Sequence, residues 1–158
     1  MGTINYNTLR PLTDHNGIPR LNGPCDLLNN GKVEGNSFQY QPSDHPSVLP
    51  TRNLNNYTEE ELLYTVNSVF FRSPEFDRTS TRPAVMTAGC SHTYGIGVRN
   101  NDVWGSVLAD KLDYDLWNIG VGGIGFDTVT LLIKQFIEEG YIPKVLAILW
   151  PDLERKLL

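Results

Sequence analysis

The sequence is short of several things, and each shortage excludes a class. Only two cysteines, Cys25 and Cys90, stand in 158 residues. That is too few for the disulfide framework of a small secreted domain. Both are read as free thiols in a reducing compartment. Three histidines, His15, His45 and His92, are scattered, and no Cys or His lies at ligand spacing. A structural zinc site is therefore not expected, and no cofactor is predicted. Charged residues make up 20%, with 13 basic against 18 acidic for a net charge of −5. Without a Lys/Arg run, the chain is a poor holder of nucleic-acid phosphates. No stretch approaches the roughly 20 apolar residues of a membrane span. The opening MGTINYNTLR lacks the apolar core of a signal peptide, and Tyr6 stands where a myristoylation signal wants Ser or Thr. A cytoplasmic protein with neither nucleic-acid nor membrane partner is expected.

What is present is unevenly distributed. Residues 1–56 are rich in Asn, Pro, Gly, Asp and Ser, turn residues that interrupt helix and strand alike. No hydrophobic period is sustained there, although Leu, Phe and Tyr recur. An irregular N-terminal arm lying on a larger body is predicted. Residues 57–83 form a lead-in. Thr58-Glu-Glu-Glu61 is a capping box, predicting a short helix to about Tyr64. VNSVFFRSPEF (66–76) is expected to run extended as far as Pro74.

From Ala84 the pattern is α/β. AVMTA (84–88), DLWNI (115–119) and KVLAILW (144–150) read as buried strands. Between them, Asp102–Leu112 predicts a helix with Val103, Val107, Leu108 and Leu112 on its apolar stripe. Asp127–Glu139 predicts a second helix, with Asp127 as N-cap and Gly140 as its stop. The order β-α-β-α-β implies a parallel sheet with right-handed crossovers. Ligands then bind beyond the carboxyl ends of the strands, which selects Gly89–Gly97, Gly120–Asp127 and Trp150–Arg155.

The first loop offers Ser91, whose hydroxyl would stand at a helix N-terminus where backbone N–H groups can stabilise an oxyanion. Cys90 is a second nucleophile candidate if that same terminus lowers its pKa. His92 is adjacent to Ser91, so their side chains should diverge. The second loop contains a literal G-x-G-x-x-G, Gly120 to Gly125, between a strand and a helix. Asp152 after the next strand could serve a ribose, but it lies farther off than the roughly 20 residues of a dinucleotide fingerprint.

Together, VNSVFFRSPEF, AVMTAGCSHTYGIGV with Trp104 soon after, and NIGVGGIGFD resemble the SGNH, or GDSL-type, hydrolases over about residues 64–150. The resemblance implies a three-layer, flavodoxin-like fold. It also implies acyl hydrolysis of a small-molecule, carbohydrate or lipid ester. Ser91 matches the nucleophile and supplies one oxyanion N–H; Gly123 matches the second donor. Asp152 stands about where the family has an Asn as third donor, and an ionised carboxylate there would repel an oxyanion. Cys90 replaces the Asp of the GDS triplet, and Phe70 replaces a Gly in the upstream segment. The family's D-x-x-H block, which carries the base, has no counterpart in these residues.

Three functions follow: a serine esterase of this type, a non-catalytic binding or structural module on the same fold, and a dinucleotide-binding half-domain. Length bears on all of them. Residues 84–158 yield three strands where such a domain has about five. An SGNH-like domain truncated after its third strand, and completed by a C-terminal continuation or a partner chain, is expected. KVLAILW, apolar throughout, would leave an exposed ladder at a sheet edge.

Overall fold

The computed structural model describes residues 37–38, 63–67, 69 and 71–152. Most of the arm and residues 58–62 of the expected first helix lie outside them. Two short strands, β1 (Ser37–Phe38) and β2 (Tyr64–Thr65), pair antiparallel. Tyr64, expected to end a helix, thus belongs to a strand, and its side chain is fully buried.

The described residues of this segment, 66, 67, 69 and 71–76, are not extended as expected. Asn67 organises them into a tight loop. Its Oδ1 accepts from the backbone N–H groups of Val69 (3.2 Å) and Phe71 (3.0 Å), and its own N–H donates to the Phe71 carbonyl at 2.8 Å. Its Nδ2 reaches the Pro74 carbonyl at 3.2 Å. An Asn side chain that replaces backbone partners in this way competes successfully with a strand ladder.

The body of the molecule is α/β. Strand β3 (Ala84–Gly89) leads to a single turn of helix, α1 (Ser91–Tyr94), then a 3₁₀ turn (Asn100–Asp102) and helix α2 (Trp104–Leu112). Strand β4 (Asp115–Asn118), helix α3 (Phe126–Glu138) and strand β5 (Val145–Leu149) follow. The sheet order is β4-β3-β5, all parallel. From β4 the chain crosses back over β3 to reach β5. Crossovers of one hand therefore put α2 and α3 on opposite faces. The contacts agree: Gly105 of α2 sits against Thr87 on one face, while Met86, Ala88 and Trp117 share a core with α3 on the other.

Helix α3 buries Val129, Leu132, Ile133 and Phe136, an i, i+3, i+4, i+7 stripe. Phe136 meets Phe71 and Phe76 edge-on, with centroids 5.5 and 5.1 Å apart. Gly125, not Asp127, occupies the N-cap position, and Asp127 lies in the first turn, where an acidic side chain suits the positive helix end. Gly140, at φ +90°, follows the helix end as expected.

The apolar stripe predicted for α2 is only partly right. Val103 is buried and Leu108 half-buried, but Val107 and Leu112 face out, and Gly105 and Ala109 make the buried face. The small residues win because the space over Thr87 is closed: a Cβ on Gly105 would lie 2.8 Å from its Oγ1. Close approach of the helix axis, not side-chain size, sets its rotation.

Strand β5 forms one edge of the three-stranded sheet and keeps Leu146 and Leu149 at 39% and 44% exposure. No helix among the described residues is long and apolar enough to cross a membrane.

Candidate functional site

The loops after β3, β4 and β5 gather at one end of the sheet, and glycines determine how closely they approach. Gly89 ends β3 at φ +154°. A Cβ there would lie 2.2 Å from Thr93 Oγ1 and 2.5 Å from the Leu149 carbonyl oxygen. Only glycine allows the chain to turn from β3 into α1 this tightly beside β5. Ser91 is thereby the first residue of α1, half-buried at the carboxyl end of the central strand.

The second loop lies directly on α1. Gly120 faces the backbone of Thr93 and Tyr94, where a Cβ would come within 2.6 Å of the Tyr94 nitrogen. Asn118, fully buried, ties the two loops. Its Nδ2 donates to the Thr93 carbonyl at 3.0 Å, and its Oδ1 accepts from Gly120 N–H at 2.9 Å. Val121 N–H adds a bond to the Gly89 carbonyl at 3.1 Å. Gly123, at φ +80°, stands exposed at the turn that follows. The first glycine of G-x-G-x-x-G therefore serves helix packing, so its presence needs no pyrophosphate.

The Ser91 hydroxyl makes one hydrogen bond among the described residues, to the Cys90 thiol at 4.0 Å. His92 is exposed, and its Nδ1 faces the Cys90 sulfur at 3.9 Å. No hydrogen bond joins His92 to Ser91 among the described residues; both side chains approach the Cys90 sulfur. Cys90 is buried. Asp152 is exposed two residues after Trp150. His15 and His45 lie outside the described residues. Among the described residues no group of three potential ligands could hold a metal.

Two supporting residues were not singled out by sequence reasoning. Arg72, buried, donates from Nη1 to the Gly95 carbonyl and, at 3.4 Å, to that of Tyr94. Its Nη2 reaches the Val98 carbonyl at 2.7 Å and its Nε the Asn100 Oδ1 at 2.8 Å. The guanidinium lies 4.2 Å from the Tyr64 ring centroid. It clamps the chain that leaves α1. Ser73 caps the outer edge of β4 with one hydroxyl, which donates to the Leu116 carbonyl (3.2 Å) and accepts from Asn118 N–H (3.0 Å). A polar pair following FF inside an aromatic segment was the available signal.

The cavity and the chemistry separate. A space of about 630 Å³ opens beside β4, lined by Arg72–Pro74, Asn100, Tyr114 and Trp117 among others. The two serine hydroxyls in it are both committed, that of Ser73 to β4 and that of Ser106 to the Asn100 carbonyl at 2.7 Å. The edge carrying Ser91 is the better candidate. It lies between β3 and β5, where the strand order reverses and where such sheets hold ligands. No family model, curated protein or solved structure matches the chain.

Proposed function

We propose that this chain carries the nucleophile half of an SGNH-type serine acyl hydrolase. One observation carries the proposal: Ser91 opens α1 at the end of β3, and Gly89, Asn118, Gly120 and Val121 join that turn to the loop that carries Gly123. In the reaction, Ser91 Oγ attacks the carbonyl carbon of an ester, and its proton passes to a base. The Ser91 and Gly123 N–H groups take the oxyanion. Collapse expels the alcohol, and water then hydrolyses the acyl-serine. Asp152 supplies no donor in this scheme, because a carboxylate repels the oxyanion. No hydrogen bond joins His92 to Ser91 among the described residues, so the scheme takes its base from elsewhere. The apolar outer edge of β5 supports completion of the sheet by a further strand, from this chain's continuation or a partner.

The test is a burst of nitrophenol from p-nitrophenyl acetate, read with and without added imidazole as external base. The proposal expects acylation at Ser91 that imidazole accelerates, lost in Ser91→Ala and kept in Cys90→Ala. Equal release by the Ser91→Ala variant, or loss in Cys90→Ala alone, would overturn it.

A further inference from the structure

Acyl transfer at Ser91 makes no use of the cavity beside β4. Its volume, about 630 Å³, suits a small molecule, whose sites span roughly 300–1,000 Å³. The lining divides by chemistry. Val103, Ala109 and Trp117 are buried and give it an apolar wall, whereas Asp77 is exposed and belongs to the rim. The Ser73 hydroxyl already holds the Leu116 carbonyl and the Asn118 N–H. Those are the groups through which a further strand would pair with β4, so a strand is not the occupant. Among the described residues, three carboxylates line the cavity, of Glu75, Asp77 and Asp115, against one guanidinium, of Arg72. That guanidinium is turned to the Gly95 and Val98 carbonyls and the Asn100 side chain. Arg82 stands 3.5 Å from Asp115 and shares its charge. At Asp77, the Thr79 N–H and hydroxyl both donate to Oδ1, at 2.7 and 2.6 Å, and hold the carboxyl below its ordinary value.

We propose that this cavity binds a small primary amine with an apolar body. The hydrocarbon part lies against Val103, Ala109 and Trp117 and loses its water there. The ammonium stays at the rim, where its three donors meet carboxylate oxygens, that of Asp77 first. An anion of the same size is repelled by the rim, and a neutral apolar molecule gains nothing from it. A metal ion is not the occupant, because no group of three potential ligands stands among the described residues. The site is independent of acyl transfer at Ser91.

The test reads the indole N–H signals by NMR while butylammonium chloride, 1-butanol and sodium butyrate are added separately, at millimolar concentration and equal ionic strength. Butylammonium should shift the Trp117 signal and leave that of Trp150, at the opposite edge of the sheet, in place. 1-Butanol should bind at least about twofold more weakly, and butyrate more weakly still. Asp77→Asn keeps an oxygen for the Thr79 bonds and removes the charge. It should weaken butylammonium binding about two- to fivefold, the span of one exposed ion pair, and leave 1-butanol binding unchanged. No Trp117 shift with butylammonium, equal binding of 1-butanol or butyrate, or undiminished binding by Asp77→Asn would overturn the proposal. Ser91→Ala should keep the binding. Amine binding with an inert Ser91 would keep the cavity site and remove the hydrolase; an acylated Ser91 without amine binding would do the reverse.

Discussion

Replacing Arg72 with Ala should cost the protein much of its stability. The side chain is buried, and its guanidinium satisfies the carbonyls of Tyr94, Gly95 and Val98 and the Asn100 side chain. Hydrogen bonds to a charged group contribute about 1.5–3 kcal/mol each, and a desolvated cation over a ring about 2 kcal/mol. These are not additive, because one side chain makes them all. Truncation also leaves the acceptors unpaired. A net loss of about 3–5 kcal/mol is expected, against a total of about 5–15 kcal/mol for a typical domain. Arg72→Lys keeps a charge but loses the planar fork, and should cost less, about 1–3 kcal/mol. Urea unfolding followed by circular dichroism, with slopes compared across variants, measures both. If Arg72→Ala costs under about 1 kcal/mol, as a surface charge would, the clamp is not what holds the chain after α1.

Other positions separate packing from chemistry. Gly120→Ala should destabilise by about 1–3 kcal/mol in the same assay, since the methyl group meets the α1 backbone, whereas Gly122→Ala should stay within about 0.5 kcal/mol. At Gly122 a Cβ would meet only Ile96 Cδ1, at 3.7 Å. Asn118→Asp should lose about 2–4 kcal/mol of unfolding free energy, because a carboxylate cannot donate to the Thr93 carbonyl. Hydrogen bonds from the Thr79 hydroxyl and backbone N–H hold the Asp77 carboxyl below its ordinary 3.8. Its folded pKa is depressed, so its small contribution is present above pH 3.8 and lost as pH falls through the folded value. A carboxyl NMR titration should find its midpoint below 3.8, and Thr79→Ala should raise it.

The α/β frame is legible in the sequence wherever a hydrophobic period decides the structure. The three parallel strands and α3 follow from apolar runs of strand length and an i, i+3, i+4, i+7 stripe. Ser91 and the Gly120–Gly125 loop follow from their places after strands. Polar side chains produced the differences. Asn67 folds an aromatic segment that reads as extended, because its amide satisfies backbone groups that a ladder would otherwise take. Arg72 looks like a surface charge until the carbonyls it meets, more than 20 residues away in sequence, come together. Helix α2 turned on small residues, whose packing depends on the partner surface and leaves no period to read. The edge position of β5 was foreseen as a consequence of having three strands, and the exposed Leu146 and Leu149 agree with it.

The most direct test of the central claim is an amide NMR spectrum of the chain after treatment with a fluorophosphonate, whose adduct mimics the tetrahedral oxyanion. Phosphonylation of Ser91 with the Ser91 and Gly123 amide protons both moving downfield is the predicted result. An adduct on another residue, none on Ser91 even with imidazole present, or an unmoved Gly123 amide would contradict the joining of these two loops into one oxyanion site.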